Sequence, residues 1–197
     1  MPQLVRELVF ATNNAHKLSE VQHLLGKKFL LRSLKDIHLE EEIPEDYDTL
    51  EQNALQKARF IFDKTHKNCF ADDTGLEVDA LNGRPGVYSA RYAGDGKNPK
   101  DNIKKLLKEL NGFANRKARF RTVVALIINN QEYLFEGIVN GQIIESERGT
   151  DGFGYDSVFL PDGYSETFAE MKLDQKNLIS HRARAIGQLV DFLKKDK

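Results

Sequence analysis

Two adjacent aspartates, Asp72 and Asp73, stand in the run Phe70-Ala71-Asp72-Asp73-Thr74-Gly75-Leu76, between an apolar stretch and a glycine. Neighbouring carboxylates repel, and aspartate is a poor strand former, so the pair needs compensation. The usual compensators are a divalent cation, basic side chains or a catalytic role. A plainer reading is a turn at a strand end, with the Asp side chains bonding backbone amides. The run by itself leaves both open.

Three further segments could carry chemistry. Thr12-Asn13-Asn14 separates a short apolar stretch from a helix-like pattern. A helix starting directly after a strand offers unpaired N–H groups and the positive end of its dipole to an anion. Lys17 falls in the first turn of that helix, where the dipole disfavours a cation unless an anion is near. A capped helix with a solvated lysine is the simpler alternative, and the chain has no Walker P-loop spacing. The run Gly149-Thr150-Asp151-Gly152-Phe153-Gly154-Tyr155-Asp156 opens no helix after a strand, which argues against a dinucleotide fingerprint. Its aromatics could stack on a base or pack into a core, and core packing is favoured for one of Phe153 and Tyr155. Ser180-His181-Arg182, preceded by Lys176, places two basic side chains on the first turn of the last helix, again against the dipole. A Ser-His-Asp hydrolase is disfavoured, because no Gly-x-Ser-x-Gly elbow occurs.

The elements that must position these residues alternate between strand and helix. Leu4 to Ala11 reads as a buried strand, followed by a helix with Leu18, Val21, Leu24 and Leu25 inward and a stop at Gly26. The acidic segment from Leu39 to Tyr47, with Pro44, reads as a loop. Thr49 to Gln52 fits a capping box opening a helix with Leu50, Ala54, Ala58, Ile61 and Phe62 buried. Asn68 to Ala71 is a brief strand, and Gly83 to Gly86 a turn. Tyr92 to Lys100 reads as a mobile polar loop, and Asp101 to Leu110 as a helix with Ile103, Leu106, Leu107 and Leu110 inward. Arg119 to Ile128 and Glu132 to Val139 flank Asn129-Asn130 as a hairpin. Short strands follow at Gln142 to Glu145 and Val158 to Leu160. Ser180 caps a final helix with Ile186, Leu189, Val190 and Leu193 buried. The hairpin must pair antiparallel, so the class is α/β with a mixed sheet.

Composition limits the partners. The 197 residues suit one domain, with length enough for two lobes. A net charge of −1 gives no sign of a nucleic-acid or membrane surface. The single Cys69 excludes an internal disulfide, and its apolar setting implies a buried, inert thiol. Neither a signal peptide nor a bilayer-length apolar run is visible, which implies a cytoplasmic protein.

The order of these motifs resembles the inosine triphosphate pyrophosphatase family, the Ham1 type. The resemblance spans nearly the whole chain. It is carried by Thr12 to Lys17, Glu51-Gln52-Asn53-Ala54, Ala71 to Leu76, Pro85 to Tyr92, Gly152 to Asp156 and Ser180-His181-Arg182. Thr74 stands where many relatives have Ser, and Gln52 where many have Glu. The resemblance implies Mg²⁺-dependent hydrolysis of non-canonical purine nucleoside triphosphates (inosine, deoxyinosine, xanthosine) to the monophosphate and pyrophosphate. It also implies an elongated mixed sheet with flanking helices, two lobes around a central cleft and a homodimer. By motif, Thr12, Asn13, Asn14, Ala15, His16 and Lys17 would hold the triphosphate. Asp73 would be the catalytic proton acceptor and a metal ligand, with Glu45 the second ligand and Thr74 beside the substrate. Phe153, Gly154, Tyr155, Asp156, Lys176, His181 and Arg182 would enclose the nucleoside and base, with Arg182 or backbone N–H groups donating to a 6-keto oxygen. Whether Asp72 or Glu51 also acts stays open. Two other readings are a Maf-like pyrophosphatase of different base preference, which the Phe-Gly-Tyr-Asp and Ser-His-Arg motifs oppose, and a non-hydrolysing nucleotide-binding module. Adjacent carboxylates beside a triphosphate oppose the latter, because binding alone gains little from added negative charge.

Overall fold

A computed structural model of the chain describes residues 6–195. Leu4 and Val5, expected in the first strand, lie outside the described residues. The elements are β1 (Arg6–Phe10), α1 (Ala15–Leu25), β2 (Phe29–Arg32), α2 (Leu50–Thr65), β3 (Cys69–Val78) and β4 (Pro85–Gly86). They continue with α3 (Pro99–Glu109), β5 (Lys117–Ile128), β6 (Gln131–Ile143), β7 (Phe159–Pro161), α4 (Leu173–Ile179) and α5 (His181–Lys195). The strand order is β2-β1-β3-β5-β6-β7, with β4 on β3. β1 runs parallel to β2 and β3, whereas β4 on β3 and β7 on β6 are antiparallel. The mixed α/β class expected from the pattern is the class observed.

The chain divides into two compact units, each with its own core. The first comprises residues up to Asp73, then Thr122–Gly137 and from Arg182 onward. Its core joins Leu8, Phe10, Phe70, Val124 and Leu126 of the strands to Val21, Leu25, Ile186 and Leu189 of α1 and α5. Phe10 and Phe70, paired across β1 and β3, stack at 4.5 Å between ring centroids. Cys69 is buried here with its thiol donating to the Ala58 carbonyl, and burial pushes its pKa up to about 12, as fits an inert thiol. The second unit comprises Thr74–Arg121 and Ile138–His181. Its core gathers Leu76, Val78, Ile103, Leu106, Phe120, Ile143, Phe159 and Phe168.

Helix ends follow local chemistry. Asn14, Thr49 and Asn98 each accept first-turn backbone N–H groups through their side-chain oxygen. Asn98 and Pro99 thus start α3 two residues earlier than Asp101. Asn129 and Asn130 both take positive φ (51° and 64°), the conformation a two-residue hairpin turn demands.

Four local readings change. Asp72 and Asp73 do not close a strand before a glycine turn, because β3 continues through them to Val78. Gly75 serves close approach instead: a Cβ there would lie 2.7 Å from the Gly86 carbonyl oxygen, where β4 pairs with β3. β6 is one strand through Gly141, not two, and a Cβ at Gly141 would meet the backbone of Leu160 in β7. β2 and α4 went unread because each spans only a few residues, too few for periodicity to register. Tyr92, placed in the polar loop, is buried against α3, where Asn102 bonds the Ala90 carbonyl and the Ala93 N–H.

Gly75→Ala should therefore cost about 1–3 kcal/mol of stability through overpacking against β4, read as a lower urea midpoint. An unchanged midpoint would mean that β4 shifts without cost.

Candidate active site

The first unit assembles three cationic and four carboxylate side chains around β3. Asp72 is almost fully buried, with Oδ1 accepting from Lys17 Nζ at 2.9 Å and Oδ2 from Arg182 Nε at 3.3 Å. Arg182, equally buried, gives its Nη1 to Glu20 on α1. On the other side chain of the pair, Asp73 Oδ1 accepts from Lys57 Nζ at 3.0 Å, and Lys57 also reaches Glu45 at 2.6 Å. The second oxygen of Asp73 is buried with no hydrogen-bond partner. Successive strand residues face opposite sides, so adjacent carboxylates meet different partners.

Each partner is delivered by a short local device. The Asn14 side chain caps α1 by accepting from His16 N at 3.0 Å and Lys17 N at 3.1 Å. Thr12 Oγ1 accepts from Asn14 N, and Asn13 Oδ1 from Lys35 N, which fixes the turn while each side chain still carries N–H or O–H hydrogens. Ala15 opens α1, and Ala15 and His16 are exposed beside the cap. Glu45 sits in a loop that α2 holds down: Asn53 bonds both the N–H and the carbonyl of Tyr47, and Gln56 bonds both backbone and side chain of Asp46. The Glu51 to Ala54 motif is thus a helix start whose Asn53 is a clamp for the acidic loop.

Burial and charge separate the two aspartates. Burial would raise the Asp72 pKa, but Lys17, Arg182 and Lys57 outweigh it and hold the carboxyl well below the usual range. Asp73 goes the other way: burial and the nearby Glu45 charge raise it despite Lys57. For Lys57, burial opposes the charge, but Asp73 and Glu45 hold its pKa above the ordinary lysine value. Lys17 is pulled below that value by burial and by Arg182 and Lys57, with Asp72 opposing.

The second unit holds another buried cluster. Asp156 Oδ2 accepts from Lys176 Nζ at 2.8 Å and from the Phe153 N–H at 2.8 Å, both charged groups being 4% exposed. Gly152, at φ 77°, is followed by this turn, and a Cβ on it would strike the Asp156 carboxylate. The Lys176 ammonium lies 5.3 Å from the Phe153 ring centroid and 5.6 Å from that of Phe168, a cation–π arrangement. His181 stacks on Phe120 at 4.6 Å. Tyr155 is buried, its hydroxyl donating to the Ser89 carbonyl at 2.8 Å, while Phe153 is half-buried. Gly154 takes φ 61°, and Thr74 is half-buried in β3.

The expected residues therefore fall into two sets. Thr12 to Lys17, Glu45, Asp73 and Arg182 belong to the first unit, and Thr74, Phe153 to Asp156, Lys176 and His181 to the second. Arg182, expected beside the base, has its guanidinium on Asp72 and Glu20. Sequence reasoning missed Glu20, Lys57 and Asn177, whose buried Nδ2 has no hydrogen-bond partner. Lys57 had a readable signal: it lies three residues after Ala54 and four before Ile61, inside the buried stripe of α2.

A mixed sheet with such a lysine–carboxylate cluster defines a class, and comparison with known proteins supplies it. The Ham1 family profile matches residues 8–192, and the chain belongs to this family. It is 52% identical over 187 residues to the dITP/XTP pyrophosphatase of Flavobacterium johnsoniae, covering 95% of this chain and 97% of that one. It is also 52% identical over 190 residues to the dITP/XTP pyrophosphatase of Porphyromonas gingivalis (96% and 98% covered). Among solved structures, the Ham1 protein of Staphylococcus aureus is similar at TM-score 0.88 and 36% identity, covering 98% of this chain and 100% of that one.

Two stability outcomes follow from the charges. Asp73 binds its proton more tightly folded than unfolded, so it costs stability as pH rises from the unfolded aspartate value (about 3.9) through the folded one. Asp73→Asn should then melt higher than wild type at pH 7, with the gap closing below about pH 4. A lower melting temperature at pH 7 would show that Lys57 more than offsets the burial. Lys176→Met should destabilise by about 3–5 kcal/mol in urea titration, because it strands the Asp156 charge.

Proposed function

We propose that this chain hydrolyses non-canonical purine nucleoside triphosphates, those of inosine, deoxyinosine and xanthosine, to the monophosphate and pyrophosphate. The observation that carries this reading is Asp73: a buried carboxylate with one oxygen unpartnered and its proton affinity raised, beside Lys57 and Glu45. Such a group suits proton acceptance from water. Water attacks the α-phosphorus, its proton passes to Asp73, the new P–O bond forms, and the bond to the bridging oxygen breaks. Pyrophosphate leaves with the electron pair. Lys17 and the capped turn from Thr12 to His16 hold the departing phosphates, through ammonium charge and first-turn N–H groups.

Mg²⁺ belongs to the proposal. Glu45 and Asp73 are the residues that would hold it, and the unpartnered oxygen of Asp73 is a hard donor of the kind it takes. Among the described residues no cluster of three or more His, Cys, Asp or Glu side chains suits a metal. Two carboxylates fit an ion that keeps waters and binds substrate phosphates. When bound, the ion would neutralise charge on the phosphates.

Phe153 would be the stacking surface for the base, with Gly154, Tyr155, Asp156, Lys176 and His181 shaping its surroundings. Discrimination against adenine follows if a donor faces position 6. A 6-keto oxygen accepts it, whereas a 6-amino group leaves a buried donor unpaired at about 1–3 kcal/mol. A homodimer located in the cytoplasm completes the reading. Among the described residues no helix is long and apolar enough to cross a membrane, and light scattering would test the dimer.

The deciding assay compares inosine, xanthosine, guanosine, adenosine and thymidine triphosphates with and without Mg²⁺. Pyrophosphate should be the first product, from inosine and xanthosine triphosphates in preference to the others. Orthophosphate with inosine diphosphate would reject attack at the α-phosphorus, and a thymidine preference would favour the Maf-like reading. Binding without turnover would leave a nucleotide-binding module. Asp73→Asn should lower kcat at least about 100-fold, in the range of lost general-base catalysis.

A further inference from the structure

Asp72 adjoins the residue assigned to the chemistry, yet its two oxygens are engaged differently from those of Asp73. Oδ1 takes Lys17 and Oδ2 takes Arg182. Both cations come from first turns of helices, α1 and α5, where the dipole works against positive charge. Arg182 has Glu20 as a second carboxylate, whereas the carboxylate that bonds Lys17 is Asp72. Asp73 instead keeps a buried oxygen without a partner. The adjacent carboxylates thus divide: one frames cations, the other stays open.

Resting on the function proposed above, we infer that Asp72 is the positioning residue of the polyphosphate site. It aims the Lys17 ammonium at the anion and takes no part in metal binding or proton transfer. A long flexible ammonium loses rotamer freedom when it binds, and a buried carboxylate that fixes it beforehand removes that cost from binding. Asp72 also opposes the pull of burial, Arg182 and Lys57 on the charge of Lys17. An anion then meets a lysine already ordered by its bond to Asp72.

The test measures binding of inorganic tripolyphosphate by calorimetry without divalent cation, in wild type, Lys17→Met, Asp72→Asn and the double variant. Each single variant should weaken binding about tenfold, a loss typical of one charge-assisted hydrogen bond, and the double variant no more than Lys17→Met. The Mg²⁺ concentration giving half-maximal inosine triphosphate turnover should stay within about twofold of wild type in Asp72→Asn, as for a residue outside the metal's ligands. Tighter tripolyphosphate binding in Asp72→Asn, losses that multiply in the double variant, or a tenfold shift in the Mg²⁺ requirement would each overturn the role. Removing Asp72 leaves Arg182 with one carboxylate, so Asp72→Asn could fail to fold. Asp72→Glu keeps the charge and should bind tripolyphosphate within about threefold of wild type, and a tenfold loss there also overturns the role. Because the calorimetric arm needs no turnover, a wild type that binds tripolyphosphate without cleaving inosine triphosphate sinks the activity alone. A wild type that does not bind it sinks this inference, whatever the turnover assay gives.

Discussion

Burying the charge of Asp72 is the constraint on which the first unit depends. A lone carboxylate in that position would cost several kcal/mol, so the fold must bring cations to it. Lys17 arrives from α1 and Arg182 from α5, which ties two helices to the middle of β3. Glu20 then answers the second side of Arg182. The neighbouring Asp73 is supported less completely: Lys57 covers one oxygen, and the other is left buried without a partner. The under-satisfied aspartate is thus the one proposed to accept the proton, its second oxygen buried and unpartnered.

The acidic loop illustrates how ordinary packing serves the same end. Glu45 would be a solvated surface carboxylate if α2 did not hold its loop. Asn53 and Gln56 supply that hold with hydrogen bonds to Tyr47 and Asp46, and Lys57, one residue after Gln56, receives the carboxylate. A single helix face therefore clamps the loop and bridges the two candidate metal ligands. In the second unit the equivalent economy is at Asp156, which at once orders the Phe153 turn and neutralises Lys176 between two aromatic rings.

Sequence adjacency misled where the chain changes unit. Ser180-His181-Arg182 reads as one motif, yet His181 stacks on Phe120 in the second unit while Arg182 turns to Asp72 in the first. The same holds for Asp73 and Thr74. A first-turn helix position changes direction by about 100° per residue, so neighbours need not share surroundings. The buried polar residue Glu20 escaped notice for a related reason: polar type on a helix suggests solvent, and only its tertiary partner Arg182 reveals otherwise.

By itself the sequence determined what depends on short-range chemistry and on period. The alternation of strands and helices, the caps at Asn14 and Thr49, the Asn129-Asn130 hairpin and the apolar stripes of α1, α2, α3 and α5 were all legible there. So was the suspicion that Asp72 and Asp73 need compensation, because repulsion between neighbours is a local fact. Which cation meets which aspartate was decided only by tertiary structure, since Lys17, Lys57 and Arg182 lie 55, 16 and 110 residues from the carboxylates they bond. The glycines at 75 and 141 likewise looked like breaks, and proved to be places where another strand comes too close for a side chain. Local sequence sets which groups must be satisfied; packing over long separations chooses the partners that satisfy them.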